Sequence, residues 1–576
     1  MEFTECSSFD RSKDTEEVEF TQRSNFDRSE VPFWTSSRLQ LAFLGFWGFA
    51  NLYALRTNLS VAIVCMVNQT ALEILQNVSD FSECEGRTVS DSSNVTTPQR
   101  LSEDGTHVWD KTVQGLVLGS YFWGYVISQI PGGWLATRFG GKRVFGWGIF
   151  LSALLTLITP VISNVSYVLL MIIRILLGAA SLAACRRRES NRVGRMSLVW
   201  WPQTRSSSWT PAGPPLEPQQ LPEALMSWLG GSLMTTCPVS ICVGTQFGNV
   251  MTFVLSGFLC KYDFAGGWPS IFYVLGGVSL IWVALWGLLV SDSPAQHKRI
   301  SKIEKKYIDH CLEDSIKYSD EKALYIPWTK IAKSLPVWAI IVSNTTSDWG
   351  EFTLITNIPT YMKEVLKFDI FTNGLLSALP YVFLCLVINV SGWLADFVRE
   401  KEILSTTATR KLFDTFGKFV PAIMLIGLGY VDCTQPVTGV VLLMIGVCLT
   451  GFCYGGFIVN HIDIAPAYAG ILFGITNSIA AVTGFISPVV VGVITSKRQT
   501  RTEWQYVFLI TAAIYGFGAI FYIIFASGEL QPWAQYTQIS EVEILVKPED
   551  DNHDGKLKTV TGRKTFKKFH KYAKIK

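Results

Sequence analysis

The chain has 576 residues, 49% hydrophobic and 16% charged, with 19 Trp, 36 Phe and a mean hydropathy of +0.29. So few charges on so apolar a chain exclude a soluble globular protein and leave a membrane protein. The net charge of +3 is unremarkable, and no nucleic-acid partner is expected.

The first 36 residues are polar and acidic with no apolar h-region, so no cleavable signal peptide is expected and the first span would serve as the insertion signal. Residues 1–37 read as a disordered cytoplasmic tail. Apolar stretches near the roughly 20 residues needed to cross a bilayer then recur at about 41–66, 113–135, 144–163, 166–184, 243–260, 267–291, 336–355, 371–395, 417–432, 438–459, 466–494 and 504–527. The sequence therefore predicts about twelve transmembrane helices.

Within the first span, YALRTNLSVAIV places Arg56 where lipid would otherwise be. A guanidinium at the bilayer centre costs about 3 kcal/mol or more, so such a residue faces a protein interior or a watery cavity. Arg56 calls for an anion. The loop that follows holds three glycosylation sequons, at Asn68, Asn77 and Asn94, which puts residues 67–110 on the lumenal or outer side. Arg138, Lys142 and Arg143 after the second span, Lys298 to Lys306 after the sixth, and Arg399, Lys401, Arg410 and Lys411 after the eighth assign those loops and both termini to the cytoplasm. The 12 Cys are mostly scattered in apolar spans without metal-ligand spacing and read as core residues; no disulfide pairing follows from the sequence.

Two segments repeat: GGWLATRFGGKR at 132–143 and SGWLADFVREK at 391–401, each just after an even-numbered span. The shared GWLA in equivalent places is what a parallel repeat of two six-span halves leaves behind. The expected organisation is an N-terminal six-helix bundle at 38–291, a cytoplasmic central loop at 292–335, a C-terminal six-helix bundle at 336–527 and a cytoplasmic tail at 528–576.

The stretch WGYVISQIPGGWLATRFGGKRVFG resembles the signature loop of the major facilitator superfamily, in the branch that contains sialin, the vesicular glutamate transporters and the sodium/phosphate cotransporter relatives. YALRTNLSVAIV, GFIVNHIDIAPAYAGILFGITN and EWQYVFLITAAIYGFGAIFYIIFASGELQPWA are similar to the same branch, so the likeness covers nearly all of residues 38–535. It implies an all-α major facilitator fold of two six-helix bundles. Gly133, Arg138, Gly140, Lys142 and Arg143 fall on its signature loop. Arg56 matches the first-span arginine that meets a substrate carboxylate or phosphate, and a planar guanidinium suits a two-pronged oxyanion. Tyr125 matches a cavity tyrosine able to bond an anion, against the alternative of a packing tyrosine.

Arg174 on the fourth span matches a family arginine that is followed seven residues later by a glutamate, the pair being implicated in proton coupling; here the seventh residue is Ser181. His461 and Asp463 are candidates for coupling or gating, although a His and Asp at a helix end more often hold a loop. Leu118 and Ser347 stand where the vesicular glutamate transporters have a histidine and an arginine. Fewer cavity cations point toward a sialin-like or phosphate-cotransporter-like member.

One block departs from the likeness. From Ala179 to Cys242 the chain gives RRRESNR and a Pro/Ser-rich run where the family continues its fourth span. A cytoplasmic insertion and a frameshift or retained intron both account for it, and the replacement of the helix, rather than its interruption, favours the second.

The expected function is secondary transport of an organic or inorganic anion, with no enzymatic constellation and no P-loop for ATP drive. The coupling ion would be a proton or sodium, with no other cofactor and no metal site. Sodium-dependent phosphate cotransport, glutamate-type vesicular transport and a non-transporting receptor are the alternatives. Either the plasma membrane or a lysosomal or vesicular membrane would suit the chain.

Overall fold

The computed structural model describes residues 36–68, 71–72, 105–181, 237–262, 266–292, 294–297, 299–306, 326–496 and 498–534. The sequons Asn77 and Asn94, most of the departing block, part of the central loop and most of both tails lie outside the described residues.

Twelve helical spans run through the described residues. They are α1 (Ser37–Met66), α2 (Lys111–Phe139), α3 (Gly141–Ser163), α4 (Tyr167–Ser181), α5 (Cys237–Lys261) and α6 (Pro269–Leu289) in the first half. The second half has α7 (Leu335–Glu364), α8 (Ile370–Glu400), α9 (Thr406–Leu428), α10 (Pro436–Ile464), α11 (Ala469–Ile494) and α12 (Arg501–Phe525). The starts follow local chemistry. Ser36, Asp110, Asp369 and Ser405 each accept a bond from the backbone N–H three residues on, at 2.9–3.2 Å, which satisfies a donor the helix cannot. α10 tightens into a 3-10 stretch at Leu449–Tyr454 before resuming at Phe457.

Eight of these helices are long and apolar enough to cross a membrane: α1, α3, α5, α6, α8, α10, α11 and α12. α2, α7 and α9 are diluted by Lys111 and Gln114, by Asp348 and Glu351, and by Arg410, Asp414 and Lys418. Such groups persist in a spanning helix when they face other helices or a wet cavity. Outward-facing Ile127, Trp147, Ile281, Leu288 and Val437 are exposed, the pattern of a lipid-facing surface.

The packing repeats after six helices. α1 lies against α5 as α7 lies against α11; α2 against α4 as α8 against α10; α3 against α6 as α9 against α12. Across the halves α2 meets α11 and α5 meets α8, again related by the same shift. This is two six-helix bundles related by a pseudo-repeat. The bundle–bundle seam is close: Gly115 and Gly492 have no room for a side chain, since a Cβ would lie 2.5 Å from the Pro488 and Lys111 carbonyls respectively.

The end of the molecule where α1 stops and α2 begins is here called the sequon side, and the opposite end, with Lys142 and Arg399, the basic side. The cysteine expectation is corrected on the sequon side, where Cys65 of α1 and Cys260 of α5 are joined by a disulfide across 195 residues. Two cysteines that far apart carry no pairing signal in one dimension.

Candidate functional site

Arg56 lies in a helix whose other faces are almost wholly buried, yet its own side chain is half-buried, so it opens into space between the helices. Five rings surround the guanidinium carbon: Phe352 at 4.7 Å, Phe122 at 4.8 Å, Tyr53 at 5.2 Å, Tyr125 at 5.7 Å and Tyr121 at 5.8 Å. Ring faces are negative and attract the cation without neutralising it. The cage spans both bundles, because Phe352 comes from α7 and the rest from α1 and α2. Tyr125 also links them, its hydroxyl accepting from Asn477 Nδ2 of α11 at 3.4 Å.

Arg174 is brought to the same place. It is buried, with Nη2 donating to the Arg56 carbonyl at 3.0 Å and Nη1 to Asn58 Oδ1 at 3.4 Å, over the Tyr121 ring. α4 can approach α2 this closely because Gly124 and Gly178 leave backbone facing backbone. Ser181, where the family likeness calls for a carboxylate, is buried and donates to the Leu177 carbonyl at 2.8 Å. Among the described residues α4 carries no acid at all.

The acids come from elsewhere. Asp348 and Glu351, one turn apart on α7 and half-buried, are the carboxylates that interact electrostatically with Arg56. Sequence reasoning passed over them while reading Ser347 in the same SDWGEF. The signal was present: two carboxylates three residues apart lie on one helix face, and acids in a spanning helix are rare enough to mark a functional face. Leu118 is buried, and the buried Ser347 hydroxyl lies beside the Cys453 thiol.

His461 and Asp463 sit at the basic-side end of α10. Asp463 accepts from Arg410 Nε at 2.6 Å, and Arg410 Nη1 donates to the Gly455 carbonyl at 2.8 Å. The His461 ring is hydrogen-bonded to the Ile458 carbonyl and to the Thr476 hydroxyl, at 2.9 and 3.0 Å. These contacts tie α10 to α9 and α11. Nearby, α9 holds a second pair the sequence did not reveal, Asp414 and Lys418, wholly buried at 2.8 Å with Ser343 of α7 bonded to both.

The signature loop packs on the end of α6. Gly133 lies within α2, Arg138 and Arg143 are exposed, and Gly140 turns the chain with φ of 90°, a conformation that favours glycine. The Lys142 N–H donates to Asp292 Oδ1 at 3.0 Å, and its ammonium to the Gly287 carbonyl at 2.8 Å. At the sequon side, Asn68 Oδ1 accepts from the Ala71 N–H at 2.8 Å.

Repeated helix packing around a caged intramembrane cation defines a multi-pass integral membrane protein of transporter architecture. The pattern of the Major Facilitator Superfamily matches residues 41–185 and 241–488, breaking off over the departing block, and the chain belongs to that family. It is similar to sialin of Homo sapiens, 40% identical over 509 residues that cover 88% of this chain and 92% of sialin. A putative inorganic phosphate cotransporter of Drosophila melanogaster is 35% identical, with 91% and 89% covered, and vesicular glutamate transporter 2 of Homo sapiens is 34% identical, with 94% and 82% covered. Among solved structures, the D-xylose-proton symporter shares the fold at a TM-score of 0.54 and 14% identity, covering 86% of this chain and 99% of that one.

Proposed function

We propose that the chain is a secondary transporter of small anions, with sialic acid, inorganic phosphate and glutamate as the candidate substrates in that order. The observation that carries this reading is the half-buried, aromatic-caged Arg56 at the seam between two bundles. A guanidinium there is desolvated enough to bind an oxyanion strongly and open enough to release it. Arg174 supports it from behind through the Arg56 carbonyl, and Tyr125 offers a hydroxyl to the same space.

The bundles are joined by contacts toward the sequon side: Lys111 with Glu364, Lys363 Nζ to the Val64 carbonyl at 3.1 Å, and α2 on α11. Taking that side as lumenal, as the sequons suggest, the conformation is closed to the lumen. Alternation would open this seam and close the other. The relatives' names favour a carboxylate sugar acid first, and the coupling ion is a proton or sodium.

The test is uptake of labelled sialic acid, phosphate and glutamate into proteoliposomes holding the purified chain, under an imposed pH or sodium gradient. Gradient-driven accumulation of one of them is expected. Absence of both uptake and exchange for all three would favour a non-transporting receptor.

A further inference from the structure

The charges around the site sum to zero. Arg56 and Arg174 are the cations and Asp348 and Glu351 the anions, gathered among rings from three helices, with Arg174 buried and the other three half-buried. Adding a monovalent anion to such an interior leaves an uncompensated charge, which is strongly unfavourable at low effective dielectric. One added proton on one carboxylate restores the balance. No atom is left over: the proton forms an O–H bond on the acid, and the anion replaces the ionised carboxylate as the negative charge that Arg56 attracts.

We propose that Asp348 and Glu351 are the groups that couple anion loading to proton uptake, competing with the anion for Arg56 when ionised and yielding to it when protonated. The inference rests on the anion-transport reading above and deepens it. The surroundings suit a carboxyl that changes its charge. The Tyr515 hydroxyl of α12 packs against Gly350, between the two acids. Tyr381 of α8, 2% exposed, has a hydroxyl with no hydrogen-bond partner among the described residues and interacts electrostatically with Glu351, so it can meet the neutral or the charged form. The other ionisable groups facing the acids are Arg56 of α1, with Tyr53, Tyr121 and Tyr125 beyond it, and Cys453 of α10 next to Tyr515. α11, packed along α7, has no ionisable residue. The acids also supply what α4 lacks, since Ser181 cannot titrate.

The experiment uses the full chain in proteoliposomes with sialic acid as probe, reading anion uptake and, with an internal pH dye, proton uptake. The parental chain is expected to take up about one proton per anion, with anion binding weakening about tenfold per pH unit once the acids ionise. Asp348→Asn with Glu351→Gln should lose accumulation under a pH gradient by at least tenfold while still exchanging anion at equal pH, and Glu351→Asp should restore part of the proton drive. Exchange by the double variant shows that it folds. The inference is overturned if the double variant concentrates anion at the parental rate under a pH gradient, or if accumulation follows a sodium gradient alone. If the parental chain neither binds nor exchanges sialic acid, phosphate or glutamate, the proposed function itself is wrong and the inference falls with it.

Discussion

Lys111, the first residue of α2, and Glu364, the last of α7, form a buried ion pair that joins the two bundles at the sequon side, with Trp504 Nε1 donating to the same carboxylate at 3.3 Å. Both side chains are about 95% shielded. Removing either partner strands a buried charge, at a cost of about 3–5 kcal/mol, whereas replacing both with apolar residues is often neutral. Lys111→Met or Glu364→Leu alone should therefore weaken the closed seam, and the double change should recover most of it. Maleimide labelling of Val113→Cys from the outside measures this directly. Labelling that is unchanged in both single variants would mean that the pair does not hold the seam.

Arg56→Ala removes the one guanidinium that the five rings enclose. A charge-assisted contact in such a place is worth about 2–5 kcal/mol, so uptake should fall below detection. Arg56→Lys keeps the charge and loses the planar fork, and should retain little activity with weakened apparent affinity. Parental uptake by an Arg56→Ala protein that reaches the membrane would reduce Arg56 to a structural cation.

The disulfide between Cys65 and Cys260 closes a long loop between α1 and α5. Its loss should cost about 2–4 kcal/mol, seen as a lower unfolding temperature in detergent. Cys65→Ala, Cys260→Ala and the double variant should fall by the same amount, and a reductant should bring the parental protein to that value. Additive losses would contradict the pairing.

His107, in the loop ahead of α2, stacks on Trp109 with ring centroids 4.5 Å apart and touches Trp268 at 5.6 Å. Burial lowers its pKa from the ordinary value of 6.5. The unfolded chain therefore binds this proton more readily than the folded one, and the stability that neutral His107 contributes is fully present above pH 6.5 and lost as pH falls through the lowered value. Thermal unfolding followed from about pH 7.5 to about pH 5 should show a decline in the lower half of that range that His107→Gln diminishes. An identical pH profile in the variant would assign the decline to other groups.

Much of the architecture is legible in one dimension, because a bilayer demands about 20 apolar residues per crossing and α1 to α12 fall on the apolar runs. α9 is the instructive case. Its apolar run begins near 417, yet the helix begins at Thr406, since Arg410, Asp414 and Lys418 interrupt the pattern and are compensated by Asp463 and the Gly455 carbonyl, by each other and by Ser343. Arg56, Tyr125 and Arg174 stand out as polar residues in apolar runs, and the fold does assemble them. What the sequence hides is who faces whom. Asp348 and Glu351 stand out as acids on one face of a spanning helix, but their partner Arg56 is known only once α7 is placed across from α1, and Lys111 and Glu364 lie 253 positions apart.

Where Gly115 and Gly492 bring α2 onto α11, peptide planes rather than interlocked side chains meet across the seam. There the surface resists separation through many small dispersion contacts and has no rotamers to jam, whereas further along Trp123 of α2 rests on Phe485 of α11 with ring centroids 4.8 Å apart. At the glycine end the two halves can thus roll over one another, and the waiting time before each turnover would be governed by the polar latches at the rim and the rings deeper in the seam. Bulking either glycine to valine would convert a rolling joint into a ratchet, slowing every cycle whichever solute is aboard.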